Sequence, residues 1–150
     1  MALKLTLDYP PVWLLGALGL ARAEVTLLGP AFQIGVLGLL GNALFWGGLA
    51  IMAVAALSFL RARSTIVPHE TPAKLITGGL YRLSRNPIYL ADLMLLGGLA
   101  LVWGSVAGLV LVPVLGRILT RRFIEPEEAR LRAAFGPEAE AFFQRTRRWI

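Results

Sequence analysis

Residues 25–60 and 93–116 contain no Asp, Glu, Lys or Arg. An apolar run of about 20 residues is enough to cross the hydrocarbon core of a bilayer. Buried in a soluble domain, each run would need protein on every side, and a chain of 150 residues cannot supply that twice. Charged residues make up 16% of the chain, against about 25% in soluble domains, and the deficit lies in these runs. Backbone in hydrocarbon must satisfy its own hydrogen bonds, which a helix does within one segment. The chain therefore reads as an all-α, polytopic membrane protein forming a single domain over residues 1–150.

Turn signals divide it into four transmembrane helices and a C-terminal amphipathic helix. The first is expected over 11–28 and ends at Gly29-Pro30. The second spans 31–61, longer than the hydrocarbon core and so tilted or projecting. Its Gly35, Gly38 and Gly41 form a smooth stripe for close helix packing. Residues 63–86 are polar and broken by Pro68, Pro72 and Gly78-Gly79. Asn86-Pro87 has the form of a helix start, with Asn86 as cap, opening a third helix over 87–103. Gly104-Ser105 turns the chain into a fourth helix over 106–123, with Pro113 as a kink. Glu125-Pro126-Glu127-Glu128 opens a further helix to Ala134. The last helix, 138–148, carries Ala141 and Phe142 on one side and Arg145 and Arg148 on another, and should lie at the membrane surface. Residues 12–23 imitate a signal peptide with a small-x-small site, but Asp8, Pro10, Pro11 and Arg22 argue against cleavage.

The net charge of +6 comes from basic residues flanking the apolar runs. Membrane lipids, rather than nucleic acid, are the partners this pattern fits. The basic stretches 61–85 and 117–148 should both be cytoplasmic, as should both termini, because the intervening turns carry no Lys or Arg. Arg22 and Glu24 are the exception, falling near the outer end of the first helix.

The polar groups of the chain gather on that cytoplasmic face. His69 is the only histidine and there is no cysteine, so multi-histidine and thiolate metal sites are excluded. No GxSxG elbow, P-loop or dinucleotide glycine motif is present. Glu127 and Glu128 fall in the first turn of a helix, where one carboxylate is explained by the helix dipole. The Glu-Pro-Glu-Glu cluster points to a further partner for at least one of them.

The run Leu75-Ile76-Thr77-Gly78-Gly79-Leu80-Tyr81-Arg82-Leu83-Ser84-Arg85-Asn86-Pro87-Ile88-Tyr89 resembles the signature of the isoprenylcysteine carboxyl methyltransferase and phospholipid methyltransferase group. A second block, Glu127-Glu128-Ala129-Arg130-Leu131 with Phe135-Gly136 and the terminal Arg147-Arg148-Trp149, extends the resemblance over about the last 90 residues. The resemblance implies S-adenosylmethionine bound at the cytoplasmic side. Carried over position by position, the cofactor residues are Leu75, Ile76, Tyr81, Arg85, Asn86, Pro87, Tyr89 and Glu127; the catalytic residues are Glu127, Glu128 and Arg122. Asn86 stands where the family motif has histidine, so it can donate a hydrogen bond but cannot act as a base.

The function implied is methyl transfer to a small or lipid-like acceptor, a carboxylate, thiol or amine. Carboxylate and thiolate acceptors need no base; an amine acceptor would need Glu127, Glu128 or His69. The alternatives are a nicotinamide-dependent membrane reductase of the sterol-reductase-like type, or a non-enzymatic membrane scaffold.

Overall fold

The structure, a computed structural model, describes residues 8–64, 70 and 72–150. Among them the fold is all-α. Helix α1 is Pro10–Leu28 and α2 is Gly35–Ala62. A 3-10 turn, Gly79–Arg82, leads to α3, Pro87–Trp103, and α4, Val106–Leu119. A π turn, Thr120–Ile124, joins α4 to α5, Glu125–Phe135, and α6 is Pro137–Arg145. Helices α1 and α2 are long and apolar enough to cross a membrane; α3 is apolar and 17 residues long.

At one end of the bundle the two interhelical turns lock together. The Ala31 N–H donates to the Gly104 carbonyl at 2.9 Å, which keeps 31–34 extended and delays α2 to Gly35. Gly104 has φ +70°, and a Cβ there would lie 2.0 Å from the Phe32 carbonyl oxygen, so only glycine fits. Ser105 caps α4 by accepting from the Gly108 N–H at 2.8 Å. Its hydroxyl donates in turn to the Glu24 carboxylate, which also accepts from the Ala107 N–H at 3.1 Å. A carboxylate at a helix N-terminus is favoured by the helix dipole. Arg22 lies 5.5 Å over the Trp103 ring. The two charges at the far end of α1 are thus both held by the α3–α4 turn.

Helices α2 and α3 run antiparallel and touch backbone to backbone. A Cβ on Gly41 would lie 2.6 Å from the Gly98 carbonyl oxygen, and one on Gly98 would lie 2.7 Å from that of Gly41. Gly48 meets Met94 and Ala91 in the same way, and Ala55 is fully buried farther along. The buried small residues recur every seven positions, two turns apart, which keeps them on one seam. The expected stripe of Gly35, Gly38 and Gly41 is corrected accordingly. Gly35 and Gly38 face open space, since a three-residue spacing drifts around the helix. Helix α1 packs against α3 and α4, joining Leu14 and Ala17 to Leu95, Leu96, Leu115 and Leu119.

Two further expectations change. The helix expected to open at Glu125 is continuous with α4: the Glu125 N–H donates to the Thr120 carbonyl, five residues back. Pro126 follows immediately, and the wider turn makes room for its ring. Helix α6 ends at Arg145, and it buries Ala139 and Phe142 while Ala141 is exposed. The residues after it form a strap across the polar end of the bundle.

Candidate functional site

Pro87 opens α3 without losing an N–H the helix would need. Asn86 precedes it but makes no side-chain cap, contrary to expectation. Its amide nitrogen donates instead to the Arg148 carbonyl at 2.9 Å, and its backbone N–H donates to Ser84 Oγ at 3.1 Å. The Arg85 N–H donates to the Arg147 carbonyl at 3.0 Å. The loop before α3 is therefore stitched to the C-terminal strap. Arg148 then grips Glu128 with two hydrogen bonds, Nε to Oε1 at 3.0 Å and Nη2 to Oε2 at 2.8 Å. Arg85 Nη1 approaches the same carboxylate at 3.2 Å. Glu128 is only 5% exposed, so its charge is met from two sides.

Glu127 points elsewhere. Its Oε2 accepts from the Tyr89 hydroxyl at 3.2 Å, joining α5 to the first turns of α3 across 38 positions of sequence. Both residues line a cavity of about 540 Å³, within the size range of small-molecule sites. Its polar wall holds Tyr9, Tyr81, Arg85, Asn86, Asp92 and Arg130; its apolar wall includes Pro10, Met52 and Phe59. Burial raises the Glu127 carboxyl above the ordinary carboxylate range, opposed by the Tyr89 hydrogen bond and Arg130. Burial also raises Tyr81, with Glu127 adding to the shift, so its phenol stays neutral. Burial lowers Arg85, opposed by Glu128. The Nε atoms of Arg85 and Arg130 are buried with no hydrogen-bond partner. Two guanidinium side chains on one cavity wall fit an anionic ligand group.

Of the expected site residues, Tyr81, Arg85, Asn86, Pro87, Tyr89 and Glu127 converge on this cavity. The others are placed elsewhere. Leu75 and Ile76 pack on the cluster of Ala55, Tyr81 and Phe142, supporting the turn. Glu128 is closed between Arg85 and Arg148. Arg122 holds Asp8 with hydrogen bonds of 3.0 and 2.9 Å and lies 5.3 Å over the Trp13 ring. His69 lies outside the described residues.

Sequence reasoning missed Asp92, Arg130 and Tyr9. Asp92 carried a signal: it is the only charged residue in α3, three positions past Tyr89 and so on the same helix face. An ionisable group in an apolar helix marks a functional position by default. Tyr9 and the apolar wall carried none, since their place depends on how α1 and α2 pack.

Residues 65–138 match the family model of phospholipid methyltransferase. That segment is similar to the phospholipid methyltransferase family. No curated protein and no solved structure matches it. The matching segment contains the 3-10 turn, α3, α4, the π turn and α5, and with them Tyr81, Tyr89 and Glu127. Helices α1 and α2, which close the cavity with Pro10, Met52 and Phe59, lie outside it. The family is one of methyltransferases acting on lipid-like substrates. Membrane association agrees with that and with the apolar helices.

Proposed function

We propose that this protein transfers a methyl group from S-adenosylmethionine to a small or lipid-like acceptor at the cytoplasmic face of a membrane. The observation that carries the reading is the Tyr89–Glu127 hydrogen bond, which brings the two matching sequence blocks onto one cavity. The cofactor supplies an electrophilic methyl group on a sulfonium. The residues present suit it. Glu127 offers a carboxylate to a cationic or hydroxyl-bearing portion. The guanidinium groups of Arg85 and Arg130 suit a carboxylate. Tyr9, Tyr81 and Tyr89 offer aromatic faces to an adenine or a cation. Glu128 acts at one remove: it fixes Arg85 and the strap, and is a positioning residue.

The chain's contribution to catalysis is alignment, because an in-line displacement depends on holding donor and acceptor at the right angle. The apolar wall of Pro10, Met52 and Phe59 suits an acceptor arriving from the bilayer. A carboxylate or thiolate acceptor needs nothing further. An amine acceptor needs a proton removed, and Glu127, Asp92 and Glu70 are the carboxylates lining the cavity that could take it. The reading is completed by four crossings, α1 to α4, with both termini cytoplasmic and the whole chain acting as one domain.

Calorimetry in detergent tests it. S-adenosylhomocysteine should bind the protein, and Tyr89→Phe and Glu127→Ala should each weaken binding about tenfold, the scale of one lost charge-assisted hydrogen bond. Binding of NADPH alone would replace the reading with a reductase. Binding of neither would leave a scaffold.

A further inference from the structure

A second groove lies on a different face of α3, between Leu90 and Leu93 and the adjoining side of α4. Its volume is about 710 Å³. The floor is apolar, made by Leu93, Val112 and Pro113, and Gly116 leaves it open beneath. At the polar end stand Arg117 and Arg121, one turn apart and on the same side of the helix. Both are exposed, and neither has a carboxylate partner among the described residues. The one acid on the groove, Glu125, faces Arg148 at 3.7 Å. Trp149, an aromatic of the kind that sits at headgroup level, closes the side.

We infer that this groove binds an anionic phospholipid, with an acyl chain on the Leu93–Val112–Pro113 floor and the phosphate on Arg117 and Arg121. The apolar floor would be left bare by a free anion. Two uncompensated guanidinium groups favour net negative charge over a zwitterion. The site is separate from the cavity and independent of the catalytic reading. It has a route to that cavity, because Glu125 on the groove and Glu128 beside Arg85 share Arg148.

The test is native mass spectrometry of the full chain released from detergent with phosphatidylglycerol or phosphatidylcholine. One phosphatidylglycerol per chain should be retained in preference to phosphatidylcholine. Arg117→Gln with Arg121→Gln should weaken retention about 30-fold, the scale expected for two interfacial basic residues. Gly116→Trp, which fills the floor and leaves the charge unchanged, should also abolish it. Lys74→Gln with Arg82→Gln removes the same charge from exposed positions elsewhere and should leave retention intact. Equal loss in that control would overturn the site in favour of diffuse attraction. Equal retention of phosphatidylcholine, or paired chains carrying no lipid, would overturn it as well.

Discussion

Glu127 and Glu128 sit about 100° apart around α5, and that angle separates a carboxylate facing a cavity from one closed between two guanidinium groups. On the proposed reading the difference is measurable through pH. Burial raises the Glu127 carboxyl, so the folded protein without ligand holds a proton there that the unfolded chain has lost. Between the ordinary carboxylate range and the raised value, stability contributed by this group therefore falls as pH rises. A ligand presenting positive charge favours the ionised form. Its binding releases a proton, and its affinity should climb with pH through the same window and then level off. Calorimetry of S-adenosylmethionine across pH should show that slope in the native protein and lose it in Glu127→Gln. A slope unchanged by the substitution would place the titrating group elsewhere. The residue types were legible in the sequence, but the division of labour was not. Neighbouring glutamates look alike in a string, and only the arrival of Arg85 and Arg148 from far along the chain distinguishes them. The same holds for Asn86: its identity fits a cap, yet its amide is taken by the Arg148 carbonyl.

The helices themselves were largely readable, because charge-free runs, Gly-Pro and Gly-Ser breaks and Asn-Pro starts are local signals. The α2–α3 seam was not, since any of the glycines and alanines of α2 could have faced a neighbour until the neighbour was in place. Gly41→Val and Gly98→Val should each cost about 1–3 kcal/mol or more through overpacking against backbone that cannot yield. Gly38→Val, which meets nothing, should stay within about 0.5 kcal/mol. Unfolding in mixed micelles, followed by helical signal, measures all three. If Gly38→Val is as damaging as Gly41→Val, the seven-residue seam is wrong.

For the whole molecule, the segregation of basic residues predicts which loops share a side of the membrane. The chain has no cysteine, so single cysteines report cleanly. Gln33→Cys and Val106→Cys should react with an impermeant thiol reagent from one side of a sealed vesicle. Lys74→Cys and Glu138→Cys should react from the other. Val106→Cys labelling with the Lys74→Cys group would remove the α3 and α4 crossings from the proposed topology.

The π turn at Thr120–Ile124 bears on how such a chain can change over evolutionary time. A turn closed five residues back holds one residue more than an ordinary turn over nearly the same length of axis. Such a turn can hold an added residue without rotating the helix beyond it. Elsewhere in 106–135, losing one residue would swing Glu127 and Arg130 about 100° away from the cavity. Within 120–124, the same loss is taken up by a return to four-residue spacing, provided Pro126, whose ring needs the wider turn, is replaced as well. Related chains should therefore differ in length here by single residues, and elsewhere along this helix only by whole turns.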